Sequence, residues 1–159
     1  MKATYLLPND SETVGVLSML YGDVSVRQTD DTMDPKSASL YGLYVNEENK
    51  PVAACVVDKE FAAYAGAALS MIPKGGAEDA AESGEIPQSM QENVYEVMNI
   101  CSRLLMGDDT PHLRLAEMFP DYAQLPEDAR QLLEQPVEKR AFEVEVPNYG
   151  KGRMALVVS

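Results

Sequence analysis

Apolar positions recur at steps of three and four between residues 90 and 105: Met90, Val94, Val97, Met98, Cys101, Leu104 and Leu105. That period is helical, and at about 100° per residue these side chains share one side of the rod. Glu92, Glu96, Asn99 and Arg103 fall together on the other side. A carboxylate and a carboxamide three residues apart, Glu96 and Asn99, therefore stand on an outward stripe of a stiff element. Such a pair is suited to reaching into another protein's active site.

The remaining chain switches between helical and strand-like periods. Asp10-Ser-Glu-Thr13 reads as a helix start with Asp10 or Ser11 as its cap; Val14, Leu17, Met19 and Leu20 are its apolar positions and Gly22 ends it. Val24-Ser-Val26 alternates as a short strand, and the acidic stretch from Thr29 to Lys36, with Pro35, reads as a loop. Ala38 to Val45 and Pro51 to Val57 are strands around the turn Asn46-Glu-Glu-Asn-Lys50. The second strand is apolar on both faces, as a central strand is. Asp58 caps a helix from Lys59 to about Met71, whose alanines and Gly66 allow a neighbour to pack closely.

Pro73-Lys-Gly-Gly76 is expected to stop that helix, and Ala77 to Gln88 to be a mobile connection to the next. His112 to Phe119 reads as a strand with Leu113 and Leu115 facing the same way, and Pro120 to Pro136 as irregular, with a short helix near Ala129 to Leu133. Ala141 to Val146 and Arg153 to Val158 form a closing hairpin, in which Phe142, Val144 and Val146 alternate with glutamates. The expected fold is one α+β domain spanning residues 1–159, an antiparallel or mixed sheet packed with three main helices. Val14 to Met19 and Tyr95 to Ile100 share a faint apolar pattern, which sets Gly15 and Ser18 where Glu96 and Asn99 stand.

Composition narrows the chemistry. With 13 basic against 26 acidic residues the net charge is −13, which disfavours a nucleic-acid or membrane-surface partner. Cys55 and Cys101 lie far apart in no paired spacing and read as buried, inert thiols of a cytoplasmic protein. No span or leader peptide is read from the chain. His112 is the only histidine, so nucleophilic catalysis and transition-metal binding have little to build on. Asp30, Asp31 and Asp34 fit no calcium-loop spacing, and Gly150-Lys-Gly152 lacks the strand–loop–helix setting of a phosphate cradle.

The order of elements and the helix bearing Glu96-Val-Met-Asn99 resemble the CheC/CheX-like chemotaxis phosphatases, which dephosphorylate the response regulator CheY. In that family a strand pair and an alanine-rich helix precede a helix with Glu-x-x-Asn. The matching segments here are Tyr41 to Val57, Asp58 to Met71 and Glu96 to Asn99. The resemblance implies a CheX-like, single-motif phosphatase and a homodimer. Its partner would be a phosphorylated CheY-like receiver domain, and the chain would need no cofactor of its own, because magnesium would be bound by that receiver. Asn99 would orient the attacking water, Glu96 would pair with the partner's lysine, and Glu92 and Arg103 would contact the partner. The alternative is a non-enzymatic interaction module of the CheC/flagellar-switch type.

Overall fold

The computed structural model describes residues 3–31 and 33–159; Thr32, inside the expected acidic loop, lies outside them. Among the described residues the chain runs α1 (Asp10–Tyr21), β1 (Ser25–Thr29), β2 (Leu40–Val45), β3 (Pro51–Val57), α2 (Lys59–Leu69), α3 (Lys74–Ser83), α4 (Gln88–Cys101), β4 (Arg114–Phe119), α5 (Glu127–Glu134), β5 (Glu138–Val146) and β6 (Gly150–Val158). The strands form one six-stranded sheet in the order β1-β5-β6-β3-β2-β4, antiparallel throughout. The fold is thus α+β, as the periodicities require, and its sheet is antiparallel rather than mixed.

The sheet has two unequal faces. On one, Leu40 and Tyr44 of β2, Cys55 and Val57 of β3, Met154 and Leu156 of β6 and Phe142 and Val144 of β5 join the inner sides of α1, α2 and α4 in the main core. On the other, Tyr41, Leu43, Ala54 and Val56 pack against Ala129, Leu132 and Leu133 of α5. That is why β3 is apolar on both faces. Strand β5 lies nearer the edge, and its Glu145 stays exposed between buried Val144 and Val146.

Two expectations are corrected. The cap of α1 is Asn9, not Asp10 or Ser11. Asn9 Oδ1 accepts from the Glu12 N–H at 2.8 Å while the Asn9 N–H donates to Glu12 Oε1 at 3.0 Å, a reciprocal box that satisfies two terminal groups at once. Asp10 instead accepts from the Gln28 N–H, tying the helix to β1. Helix α2 does stop before Pro73, at Leu69, but no loose connection follows: Lys74–Ser83 form the helix α3, closed by Gly84 at φ 79°. Its Ala77, Ala80 and Ala81 are buried against Ala63 and Ala67 of α2 and Met90 of α4. Small side chains let three helices approach closely, and that tertiary burial outweighs the poor helix propensity of Gly75 and Gly76.

Two contacts set the position of α4. A Cβ on Gly66 of α2 would stand 2.8 Å from the Met90 carbonyl oxygen, and one on Gly42 of β2 would stand 2.5 Å from Met98 Sδ. Both glycines serve close approach, with no unusual backbone angle involved.

Candidate functional site

Helix α4 buries the seam that its sequence announces: Met90, Val94, Val97, Met98 and Cys101 are buried, followed by Leu104 and Leu105 in a short 3-10 turn. Polar bonds hold the helix as well. Asn93 Nδ2 donates to the Gly66 carbonyl at 2.8 Å and to Ser70 Oγ at 2.7 Å. The buried Tyr44 hydroxyl crosses the core from β2 to donate to the Met98 carbonyl. At that point the helix tightens, with the Ser102 N–H turning to the Asn99 and Ile100 carbonyls, so the tyrosine satisfies a carbonyl that the tighter turn leaves free. Sequence reading missed Tyr44, because nothing in a β2 pattern marks a tyrosine as the partner of a helix backbone.

Against this fixed inner face, Glu92, Glu96, Asn99 and Arg103 are all exposed. Their side chains enter no hydrogen bond or ion pair with another described residue; Ser102 Oγ donates at 2.7 Å to the Asn99 backbone carbonyl, not to its side-chain amide. Residues three apart on a helix have Cβ atoms about 5–6 Å apart, so Glu96 and Asn99 can address neighbouring atoms of one bound group. On α1 the corresponding positions are Gly15 and Ser18, and the Ser18 hydroxyl folds back onto the Gly15 carbonyl at 3.3 Å. A polar pair of this kind is therefore carried by α4 and not by α1.

Beside the pair runs a groove of about 560 Å³ between α4 and β4, lined by Gln88, Gln91, Glu92, Tyr95, Glu96, Ala116, Glu117 and Met118. A β-bulge shapes its strand wall. β4 pairs with β2 as Leu43↔Glu117 and then Tyr44↔Leu115, passing over Ala116. The extra residue re-phases the strand, so Leu115 and Met118 both pack with the main core while Phe119 joins the cluster under α5. Sequence reading placed the strand but not the bulge, which breaks the alternation it relies on.

The other titratable groups offer little chemistry. Cys55 and Cys101 are fully buried; burial raises the Cys101 thiol to about 12 and Cys55 well above its ordinary value, so neither is a nucleophile. His112 is exposed, with only its backbone carbonyl engaged, by the Tyr5 hydroxyl. Asp31 pairs with Arg153 at 2.6 Å, and Asp34 accepts from the Lys36 N–H. Among the described residues no group of three or more His, Cys, Asp or Glu is arranged to hold a metal ion, and no helix is long and apolar enough to cross a membrane.

No protein-family model matches this sequence, and no curated protein matches it. Solved structures do match. Thermotoga maritima FliY superposes with a TM-score of 0.55 at 17% identity, over 92% of this chain and 82% of that one. This chain thus has the fold of that FliY structure, an α+β fold in line with the expectation from the order of its elements. The Borrelia burgdorferi CheX–CheY–BeF3–Mg complex also matches, with a TM-score of 0.45 at 8% identity over 92% of each chain. The H. pylori FliM middle domain does so with a TM-score of 0.48 at 9% identity, over 94% of this chain and 82% of that one.

Proposed function

We propose that the protein is a phosphatase acting on the aspartyl phosphate of a CheY-like receiver domain, with Glu96 and Asn99 as its catalytic pair. The observation that carries this reading is the state of the pair: both side chains are exposed, uncommitted and mounted on a helix fixed from behind by Met98, Asn93 and Tyr44. Phosphoryl transfer depends mainly on positioning and charge stabilisation, so a protein can accelerate it without a nucleophile or metal of its own. The Asn99 amide accepts from and donates to a water without changing protonation, and so holds it in line with the phosphorus. The water oxygen's bond to phosphorus forms as the bond to the receiver's aspartate oxygen breaks. The products are inorganic phosphate, which takes up the water's oxygen, and a free aspartate carboxylate. Glu96 pairs with the receiver's lysine and fixes the angle of approach, while Glu92 and Arg103 add contacts one turn to either side. The metal on this reading belongs to the receiver.

The test is phosphate release from a phosphorylated receiver. Asn99→Ala is expected to abolish the stimulated release while leaving the fold intact, since losing one positioning group costs about 3 kcal/mol, roughly a hundredfold in rate. A mutant as fast as wild type overturns the roles of Asn99 and Glu96, and tight binding without turnover makes the protein an interaction module instead. A homodimer seamed along an edge strand and a cytoplasmic site of action complete the proposal; sedimentation tests the first.

A further inference from the structure

We propose that a pocket away from the α4 stripe receives an apolar side chain flanked by carboxylates, carried on an acidic segment of a partner protein. The pocket has a volume of about 420 Å³ and lies where the end of α1, the α2–α3 link and the β5–β6 hairpin meet. Neither Glu96 nor Asn99 lines it, so the inference stands apart from the phosphatase reading.

Helix α2 closes with the Met71 N–H donating to the Ala68 carbonyl at 3.2 Å and the Ile72 N–H to the Ala67 carbonyl at 2.9 Å. This pair of bonds calls for a left-handed residue at Met71, and its φ is 57°. Glycine is the usual occupant, because a Cβ is strained there. Every other described residue with positive φ is glycine or asparagine: Gly22, Asn49, Gly84 and Asn148. Packing does not explain the exception. Ile72 supplies the apolar contact with the cluster that contains Ala67, while Met71 is 85% exposed. A side chain that strains its backbone and covers little of its own chain is accounted for by contact with another molecule.

The lining selects the occupant. Leu20 and Tyr21 of α1 form one wall and Tyr149 of the hairpin another. The Tyr21 hydroxyl donates to the Ala65 carbonyl at 2.9 Å and the Tyr149 hydroxyl to the Ile72 carbonyl at 2.6 Å. With both hydroxyls engaged, the rings are fixed and offer carbon to an occupant. Lys74 is the only charged residue of the lining; it is exposed and enters no ion pair among the described residues. An unpaired ammonium beside apolar walls suits an apolar side chain with a carboxylate next to it. At physiological salt, screening over about 8 Å lets a short acidic segment respond to Lys74 rather than to distant carboxylates. A nucleic acid or anionic membrane would set far more negative charge against a chain that carries −13. A second copy docked about a two-fold axis here would bring Lys74 toward its own counterpart. The flexible thioether at the rim adapts to partner side chains, which favours a peptide over a ligand of one fixed shape.

The probe is a peptide of leucine and phenylalanine flanked by glutamates. Its controls carry serine in place of the apolar residues, or lysine in place of the glutamates. Binding is followed by NMR of methyl-labelled methionine and backbone amides, and by anisotropy of the labelled peptide. At about 1 mM the acidic apolar peptide is expected to shift the Met71 methyl and the Lys74 and Tyr149 amides, and the controls far less. Lys74→Glu places an acid in the first turn of α3, where it suits the helix end. This variant is expected to keep the fold and weaken binding about fivefold at low salt, less at high salt. Met71→Gly is expected to raise the melting temperature by roughly 2–4 °C yet weaken binding about tenfold. A purely structural Met71 would give the first change without the second. Asn99→Ala is expected to bind the probe as wild type does. Wild-type binding by Met71→Gly, or a lysine peptide that binds as well as the acidic one, overturns the proposal. So does a pocket that no probe shifts. A Met71 methyl that moves with protein concentration alone gives the pocket to a second copy instead. A melting temperature unchanged or lowered in Met71→Gly removes the strain on which the inference rests.

Discussion

Gly66→Ala opposes two physical effects of known sign. Gly66 is an interior residue of α2, and alanine there should favour the helix by about 1 kcal/mol. Yet the added methyl would stand 2.8 Å from the Met90 carbonyl oxygen and 3.0 Å from Met90 Cβ. The neighbour is backbone, not the end of a flexible chain, so α4 itself must retreat by roughly half an ångström to restore ordinary contact. Retreat loosens the packing of Met90 against Ala63 and Ala67 and strains the bond from Asn93 to the Gly66 carbonyl. Overpacking of this kind costs about 2–3 kcal/mol. The balance is a net loss of about 1–2 kcal/mol, or a few degrees in melting temperature for a chain of this size. Gly15 is the control. It lies in α1 with nothing within 4 Å of a built Cβ, so Gly15→Ala should gain up to about 1 kcal/mol from propensity alone. Urea unfolding of both variants decides the matter. If Gly66→Ala is stabilised as much as Gly15→Ala, then α2 does not brace α4, and the rigid mounting of Glu96 and Asn99 loses its basis.

Two further outcomes are expected. Tyr44→Phe removes the hydroxyl that donates to the Met98 carbonyl and leaves that buried oxygen unsatisfied, costing about 1–3 kcal/mol in denaturant unfolding; a loss within error of zero refutes the brace. Asp58 Oδ1 caps α2 through the Phe61 N–H at 2.8 Å and also accepts from the Arg153 N–H at 3.0 Å, while burial, its largest influence, raises its pKa above the ordinary carboxylate value. A raised folded pKa means a stabilising contribution present at low pH and lost as pH climbs through that value. Asp58→Asn keeps the acceptor and drops the charge, so wild type should gain stability relative to this variant as pH falls from neutral toward the carboxylate range. A stability difference that is flat or reversed over that window contradicts the dominance of burial at Asp58.

The legible parts of this protein were those governed by short-range periodicity. The buried seam of α4 and its exposed polar stripe follow from a 3.6-residue period with one apolar side, and the central place of β3 follows from apolar residues on both of its faces. The hairpin turn after β2 followed from its asparagines: Asn46 Oδ1 accepts from the Glu48 and Lys50 N–H groups, and Asn49 adopts φ 61°. Helix α3 was illegible because its glycines speak against a helix locally, and only the alanine faces of α2 and the side chain of Met90 make it stable.

From residues alone came the α+β class, the scarcity of groups for histidine- or thiol-based chemistry and the pairing of Glu96 with Asn99 on one stripe. All three depend on composition or on spacing along a single element. Tertiary structure alone decided the antiparallel strand order, the bulge at Ala116, the tyrosine that reaches Met98 and the groove where α4 meets the edge of β4. These join residues far apart in the chain, and such contacts arise from how layers pack, which no local period encodes.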